Sequence, residues 1–184
     1  MKIFVNNFKI FIFFVFLTGI IYPVFITLTS QLLFNHEANG SLLIKNGKII
    51  GSELIAQEFH QKQYFWPRPS AANYDSSASA ASNLSPDSKL LHDTIAKRAI
   101  DNNLDIQTND DLLYASGSGL DPHISPDSAN RQLMRIIEAR HLNEFQITKL
   151  KNAIIANTET RQFGILGKAR LNVLKLNLLL DEQF

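Results

Sequence analysis

The hydrophobic and polar positions divide the chain into one long apolar segment near the N terminus and a longer remainder in which both kinds are interspersed. No charged residue occurs between Ile10 and Leu33. At about 1.5 Å per residue this segment is about 36 Å long as a helix, enough to cross a hydrocarbon core of about 30 Å. The pattern predicts a short N-terminal tail over residues 1–9, a transmembrane helix over 10–33 and a separate domain over 34–184.

A cleaved signal peptide is the alternative interpretation of this apolar segment. Signal peptides have an apolar core of about 7–15 residues followed by a small-residue cleavage site. The segment here is longer and continues into Gln-Leu-Leu-Phe-Asn-His-Glu, so an uncleaved anchor is favoured. Lys2 and Lys9 precede the segment, and His36 and Glu37 follow it. The positive-inside rule therefore predicts a cytoplasmic N terminus and an extracytoplasmic domain.

The composition of the anchor itself favours a partner in the membrane. Pro23 predicts a kink, which leaves backbone carbonyls for a neighbouring helix to satisfy. Thr18, Gly19 and Thr27 are small enough to allow close helix contact.

The domain begins with a strong hairpin signal over residues 42–50. Two apolar runs flank Asn46-Gly47, the residue pair preferred in type I′ turns. Ser52 resembles the N-cap of a following helix, whose apolar face would contain Leu54, Ile55 and Phe59. Residues 61–88 are rich in Ser, Ala and Asn without helical periodicity, and they predict a long irregular loop.

Three amphipathic helices and a buried C-terminal segment are predicted after this loop. Ser85-Pro86 and Ser125-Pro126 both show the cap-plus-proline pattern that opens a helix, and the third helix covers residues 145–156. Their predicted apolar faces contain Leu90, Leu91, Ile95 and Ile100, then Ala129, Leu133, Ile136 and Ile137, then Ile147, Leu150, Ile154 and Ile155. The apolar tail over 171–180 is interpreted as a core helix, with a buried strand as the alternative. The predicted fold class is a single N-terminal transmembrane helix plus a mixed α/β domain, helix-rich with one small sheet or hairpin.

Composition excludes some function classes. The formal net charge is +1, and outside Lys2 and Lys9 the basic and acidic residues nearly balance. A domain with so little net charge is not typical of nucleic-acid binders. The chain has no cysteine, which excludes disulfides, thiolate metal sites and cysteine nucleophiles.

The residue types of a hydrolytic triad, Ser118, Asp121 and His123, occur within six positions. Catalytic triads are assembled in space from separate elements. Turn capping by the serine and the aspartate is therefore favoured, and no catalytic residue is predicted. Arg68 stands between two prolines, where it either pairs with a carboxylate or lies on the surface without a partner.

Metal and phosphate sites have little support in the sequence. None of the five histidines is paired at i+3 or i+4, so no metal ligands are predicted. The glycine-containing stretch over 164–170 lacks the Walker spacing. Asp110 and Asp111 are interpreted as an acidic pair at the N-terminal end of a helix, where they complement its dipole.

Several motifs occur together in one order along the chain. They are Thr18-Gly19-Ile20-Ile21-Tyr22-Pro23, Trp66-Pro67-Arg68-Pro69-Ser70-Ala71, Ser82-Asn83-Leu84, the run from Ala115 to Pro126, Arg135 to Arg140, and the stretch from Leu166 to Leu178. This set resembles the KdpC family, the C subunit of the Kdp potassium-transporting P-type ATPase of bacteria and archaea, over nearly the whole chain. The most specific part is Ala-Ser-Gly-Ser-Gly-Leu-Asp-Pro-His-Ile-Ser, from Ala115 to Ser125.

The chain departs in two places from the pattern that the resemblance implies. Ala80 and Ala81 stand where the family usually has two glycines, which removes backbone freedom at that point. This loss puts in doubt any role that needs a close backbone approach there. Lys168 stands where the family usually has a glutamate, which reverses a charge.

The resemblance implies an accessory, non-catalytic subunit that is needed for assembly and stability of an ATP-driven, high-affinity potassium importer. The family is also described as raising the ATP affinity of the hydrolysing subunit. The implied partners are the P-type ATP-hydrolysing subunit, the potassium-channel-like subunit and the lipid bilayer, without nucleic acid. ATP, potassium and magnesium would be used by the complex, and no cofactor is predicted for this chain. A free-standing, membrane-anchored binding or sensor domain is the alternative function.

The motifs also supply the candidate structural or interface residues. These are Gly19, Tyr22, Pro23, Arg68, Pro69, Ser70, Asn83, Ser116, Gly117, Ser118, Gly119, Asp121, Pro122, His123, Gly167 and Asn172.

Overall fold

The computed structural model describes residues 1–108 and 110–184. They form two compact units, Met1–Ser52 and Glu53–Phe184. The first contains the apolar helix and a β-hairpin, and the second contains four further helices and one small sheet. The predicted fold class, one apolar N-terminal helix with a helix-rich α/β domain, is confirmed, and the domain residues contain two small sheets.

The apolar segment is helical from Lys2 to Leu33 and is long and apolar enough to cross a membrane, with its apolar side chains exposed. Pro23 cannot continue an ordinary α-helix without a clash between its ring and the carbonyl four residues earlier. A wider π-helical turn precedes it, in which the Tyr22 amide donates to the carbonyl of Leu17. The three consecutive parts are α1 (Lys2–Phe16), the π turn (Leu17–Ile21) and α2 (Tyr22–Leu33).

The predicted hairpin is confirmed. After the short helix α3 (Asn35–Ala38), β1 (Leu42–Lys45) pairs antiparallel with β2 (Lys48–Ser52). The turn residues Asn46 and Gly47 have φ angles of 52° and 73°, as a type I′ turn requires.

The second unit is built from helices that pack around a single main core. Its elements in order are α4 (Lys89–Asp101), β3 (His123–Ile124), α5 (Pro126–Arg140), α6 (Glu144–Ala156), β4 (Leu171–Asn172) and α7 (Val173–Gln183). Strands β3 and β4 pair antiparallel. The main core contains Phe65, Ile124, Ala129, Leu133, Ile136, Leu142, Leu150, Ile154, Leu171, Val173, Leu176 and Leu180.

Polar caps position the core helices. Ser125 accepts a hydrogen bond from the Ser128 amide at the start of α5, where Pro126 occupies the first turn. Asn143 forms a reciprocal capping box with Gln146 at the start of α6. Asn172 caps α7 by accepting from the Lys175 amide. The prediction of α5 from Ser125-Pro126 is confirmed with its apolar face.

A smaller cluster lies beneath α4 and explains two errors in the predicted apolar faces. It contains Ile95, Ala99 and Leu113, packed against Leu91, Leu104 and Tyr114. Because this cluster covers only one narrow stripe of α4, Leu90 and Ile100 are exposed, and their assignment to the core was wrong. The same correction applies to Ile155 on α6.

The predicted helix after Ser52 is absent from residues 53–59, all of which the structure describes. Ser52 ends β2, and its hydroxyl donates to the Gly40 carbonyl. The Ala56 amide donates to the distant Leu120 carbonyl at 2.9 Å, so this backbone is satisfied by tertiary rather than helical hydrogen bonds. The helix predicted at Ser85-Pro86 begins later, at Lys89 with Ser88 as its N-cap residue. The C-terminal tail combines both predicted alternatives, a two-residue strand followed by α7.

Candidate functional site

Residues 65–69, which include the Trp-Pro-Arg-Pro motif, form a strap that lies outside any helix or sheet and is hydrogen-bonded to α5 and α7. Two side-chain amides replace strand partners along it. Asn177 of α7 accepts from the Phe65 amide at 2.8 Å and donates to the Phe65 carbonyl at 2.9 Å. Gln132 of α5 accepts from the Trp66 amide at 2.8 Å and donates to its carbonyl at 3.2 Å. Both side-chain amides are buried, and together they satisfy the main-chain N–H and C=O groups of two consecutive residues, Phe65 and Trp66.

Two arginines of α5 reinforce the strap. The Arg135 guanidinium lies 3.7 Å above the Trp66 ring and donates to the Lys62 and Tyr64 carbonyls. Burial lowers the pKa of Arg135 to about 10, which leaves it charged at neutral pH. Arg140 donates to the Gln63 carbonyl and pairs with Asp181 at 2.9 Å.

The Ser-Gly-Ser-Gly run continues this construction by holding the irregular loop that follows the strap. The Ser116 amide donates to the Pro69 carbonyl at 3.1 Å, and the Ala80 amide donates to the Ser118 carbonyl at 3.0 Å. Gly119 has φ +71°, and a Cβ placed on it would lie 2.7 Å from the Ala80 carbonyl oxygen. Glycine is therefore required there both for its backbone angle and for the close approach of the loop.

The replacement of family glycines at Ala80 and Ala81 does not disturb this contact. Neither alanine is among the described non-glycine residues with positive φ, so their backbone lies in a region that alanine adopts without strain. The sequence had put a close backbone approach at Ala80 in doubt. The structure contains one, between Ala80 and Gly119, and Gly119 provides the space for it.

Of the three residues with triad chemistry, Ser118 and Asp121 serve turns, as predicted, and His123 lies in β3. The Ser118 hydroxyl accepts from the Leu120 amide at 3.1 Å, two residues further on. Asp121 Oδ1 accepts from the His123 amide at 3.0 Å and lies 3.3 Å from His123 Nδ1. Both serine and aspartate bonds are the local side-chain-to-backbone type that stabilises turns.

Arg68 has a partner, so its interpretation as an unpaired surface arginine was wrong. Its Nη1 lies 3.4 Å from Asp121 Oδ2, and its Nη2 donates to the Ala115 carbonyl at 3.3 Å. Burial opposes ionisation of Asp121. The hydrogen bonds from His123, together with the charges of His123 and Arg68, outweigh burial and lower the pKa of Asp121 below its ordinary value. A polar network of Arg68, Asp121 and His123 therefore links the strap to β3.

An open cleft of about 390 Å³ lies beside this network. Its walls include Asp111, Glu159 and Lys168 as well as Arg68 and His123. Lys168, the charge reversal noted in the sequence, therefore lines this cleft. Within residues 1–108 and 110–184, no group of three His, Asp or Glu side chains is arranged to hold a metal ion.

The acidic pair Asp110-Asp111 serves the N-terminal end of α5, a helix that begins further along the chain at Pro126. Asp110 is buried, accepts from the Ser128 hydroxyl at 2.9 Å and lies 3.3 Å from Arg131 Nε. Asp111 accepts from the Ser125 amide at 2.6 Å. Both carboxylates thus lie at the N-terminal end of α5, where they complement its dipole.

The remaining candidates are not members of the network itself. Ser70 caps its own loop by accepting from the Ala72 and Tyr74 amides. Pro122 is buried, and its carbonyl accepts from the Val173 amide. Asn172 donates to the Glu53 carbonyl at 2.7 Å. The other candidates are Gly19, Tyr22 and Pro23 in the apolar helix, and Asn83, Gly117 and Gly167 in irregular segments.

Sequence reasoning missed Gln132 and Asn177, which hold the strap. A polar residue inside an apolar helical stripe was the available signal, because buried amides need internal partners. The partner segment lies 66 residues from Gln132 and 112 residues from Asn177, which no local pattern reveals.

The matches to known proteins cover nearly the whole chain and agree on one family. The model of the KdpC family, described as "K+-transporting ATPase, c chain", matches residues 4–182. A "Potassium-transporting ATPase KdpC subunit" of Leptospira interrogans is 46% identical over 169 residues, covering 91% of this chain and 87% of that protein. Proteins with the same name are 46% identical in Methylococcus capsulatus, covering 90% of each chain, and 44% identical in Synechocystis sp., covering 91% of each.

Proposed function

Because this chain belongs to the KdpC family, the c chain of K+-transporting ATPases, we propose that it is an accessory, non-catalytic subunit of an ATP-driven, high-affinity potassium importer. Its role is to assemble and stabilise the complex. The partners we propose are the ATP-hydrolysing P-type subunit and the potassium-channel-like subunit. ATP, magnesium and potassium are then handled by those subunits.

The observation that carries this proposal is that residues of the most specific motif, from Ala115 to Ser125, make contacts inside the domain. Ser116, Ser118 and Gly119 hold the loop after the strap, and Asp121 holds Arg68. Residues engaged in such internal contacts shape a rigid surface rather than present reactive groups. A rigid domain tied to an apolar helix suits a subunit that works by binding other subunits.

The anchor supports contact with partners inside the membrane. The Thr18 and Thr27 hydroxyls donate to the carbonyls of Phe14 and Pro23, which keeps these polar groups within their own helix. Small side chains and a π turn are features that allow close helix approach and often mark functional positions. We propose a cytoplasmic N terminus, with the domain outside the cytoplasm.

An influence on ATP affinity is a separate, finer proposal. With the domain outside, ATP and the domain lie on opposite faces of the membrane. An effect on nucleotide affinity is then a coupling free energy transmitted through the anchor, which must also appear as an effect of nucleotide on subunit binding.

Co-purification tests the proposed role. The chain carries a C-terminal tag, is expressed at native level under potassium limitation and is extracted in mild detergent. We expect a P-type ATPase subunit and a many-span potassium-binding subunit to elute with it in fixed ratio. Elution of the chain alone, together with full potassium uptake in a deletion strain, would overturn the proposal and favour an anchored binding domain, whose mark is a ligand-dependent melting shift.

The orientation is tested in the same material. Since the chain contains no cysteine, Ala78→Cys at an exposed loop position supplies a single label site. A membrane-impermeant thiol reagent added to intact cells labels this site if the domain is outside. Labelling only after lysis refutes the proposed topology.

A further inference from the structure

Residues 159–170 form a projecting structure, which we call the apolar hairpin. Glu159 and Arg170 exchange two main-chain hydrogen bonds at its base, of 2.9 and 3.0 Å. Gln162 and Leu166 exchange two more near its tip, both of 2.9 Å. The ends are further joined by the side-chain pair of Arg170 Nε and Glu159 Oε2 at 2.8 Å. The hairpin therefore has a defined shape along its length.

The tip of the apolar hairpin exposes three large apolar side chains in four positions. Phe163 is 90% exposed, Ile165 is 78% exposed and Leu166 is 58% exposed. Isolated apolar residues on a surface are ordinary, but a cluster held together on one projection marks an interaction site.

The backbone conformation of the turn at the tip does not favour a phenylalanine at position 163. Phe163 and Gly164 have φ angles of 52° and 73°, the same values as Asn46 and Gly47 in the β1–β2 turn. Asparagine is the favoured residue at that left-handed position, and a bulky residue there is strained. The chain thus places an exposed aromatic ring at a position where the turn disfavours it. Such strain is typical of positions that serve binding.

The charged residues beyond the Glu159–Arg170 pair at the base of the hairpin are all basic. Arg161 and Lys168 flank the tip, and residues 160–169 contain no acidic residue. In the part of the chain that the structure describes, neither Arg161 nor Lys168 forms an ion pair. A surface complementary to this tip has an apolar centre and an acidic rim.

We propose that the apolar hairpin docks on another subunit of the K+-transporting ATPase, inserting Phe163, Ile165 and Leu166 into an apolar recess with an acidic rim. This inference rests on the proposed function, because it takes the partner from membership in a multisubunit complex. A protein that admits cations concentrates them with acidic residues at its outer surface, which supplies the complementary charge. A lipid surface requires no strained, fixed turn, and a second copy of the hairpin would place like charges together.

The first experiment removes the apolar contacts while keeping the turn. In the full chain, Phe163→Asn creates the preferred Asn-Gly turn, and Ile165→Thr keeps a β-branched residue in the hairpin. The matched control is Phe145→Gln, which removes an aromatic ring that is 78% exposed on α6. Melting followed by Trp66 fluorescence verifies that each variant is folded. We expect the double variant to bind its partner subunits at least about tenfold more weakly, whereas the control binds as the wild type does.

The second experiment identifies the occupant directly. The photoreactive residue p-benzoylphenylalanine replaces Phe163 in one protein and Phe145 in another, each within the assembled complex. We expect a covalent product with another subunit from position 163 and none from position 145. Charge reversal by Arg161→Glu and Lys168→Glu should slow association and reverse its salt dependence, because salt then screens a repulsion instead of an attraction.

The outcomes separate the two proposals. If the wild-type chain recovers no other subunit, the proposed function fails. If the wild type recovers its partners, but the double variant does so equally well, the docking role of the hairpin is refuted while the proposed function stands. Cross-linking from position 163 to lipid alone, or to a second copy of this chain, also overturns the inference.

Discussion

Replacing Gly119 by alanine is the most direct perturbation of the domain. Its φ of +71° costs an alanine about 1–2 kcal/mol. The new Cβ would also lie 2.7 Å from the Ala80 carbonyl oxygen, 3.0 Å from the Ala72 Cβ and 3.1 Å from the Ser70 Oγ. The nearest of these is a backbone atom, which moves only with the loop, and such overpacking costs about 1–3 kcal/mol more. We expect Gly119→Ala to lower the free energy of unfolding by about 2–5 kcal/mol.

Two other glycines separate the contributions to this loss. Gly164 has φ +73° but open space around it, so Gly164→Ala measures the backbone strain alone, about 1–2 kcal/mol. Gly117 has neither a positive φ nor a close neighbour, so Gly117→Ala should be neutral or stabilising by up to about 1 kcal/mol. The three variants therefore form a series in which strain and contact are added one at a time.

The single tryptophan makes the measurement specific to the domain. Trp66 packs under Arg135 in the second unit, and the anchor contains no tryptophan. Urea or thermal unfolding of the full chain in detergent, followed by Trp66 fluorescence, thus reports on the domain. For about 130 residues each kcal/mol corresponds to about 3–5 °C in Tm, so Gly119→Ala should melt roughly 10 °C lower. If Gly119→Ala melts no lower than Gly164→Ala, the close approach to Ala80 does not contribute, and our account of the motif is wrong.

Three further predictions use the same fluorescence assay or a simple titration. Gln132→Leu should lower the free energy of unfolding by about 2–4 kcal/mol, because it leaves the half-buried main-chain N–H and C=O groups of Trp66 without their partners. Asp121→Asn should destabilise the domain most at neutral pH. The pKa of Asp121 is lower in the folded than in the unfolded protein, so its ionised form adds stability above about pH 4, and this stability is lost as the pH falls through the folded pKa. Burial, with the nearby charge of Glu58, raises the pKa of Tyr74 to about 12, so its tyrosinate absorbance should appear later than that of ordinary tyrosines near pH 10. Stability should correspondingly fall as the pH rises from about 10 through 12.

Matched variants serve as controls for these three tests. Asn130→Leu replaces an exposed amide on the same helix as Gln132 and should change stability little. A stability difference between wild type and Asp121→Asn that stays constant down to about pH 2 would contradict the role of its charge. Tyr74→Phe should remove the late absorbance step, and persistence of that step would assign it to another tyrosine.

Local sequence signals succeeded where neighbouring residues alone define the structure. Asn46-Gly47 specified the first hairpin because both residues tolerate the positive φ of its turn. Ser125-Pro126 specified the start of α5 because a cap and a first-turn proline act within a few residues. The helix predicted after Ser52 was wrong, because a serine before an apolar pattern can end a strand as well as cap a helix. The hydrogen bond from the Ala56 amide to the distant Leu120 carbonyl keeps this segment out of a helix.

Periodicity alone did not determine how far each helix is covered. Leu90 and Ile100 fit an apolar face, but the small cluster around Ile95 and Ala99 leaves them exposed. In the candidate site, the turn roles of Ser118 and Asp121 followed from their local spacing. The partner of Arg68 did not, since Asp121 lies 53 residues away along the chain.

The sequence by itself determined the membrane anchor, the type I′ turn, the capped helices and, through its motif series, the family. These are properties of contiguous residues, whose backbone preferences and hydrophobicity act over a few positions. Tertiary structure decided that Gln132 and Asn177 hold the strap, that Gly119 admits the loop and that Phe163 projects from a rigid turn. Those features depend on which distant segments meet, because a buried peptide group must find a partner wherever the fold supplies one.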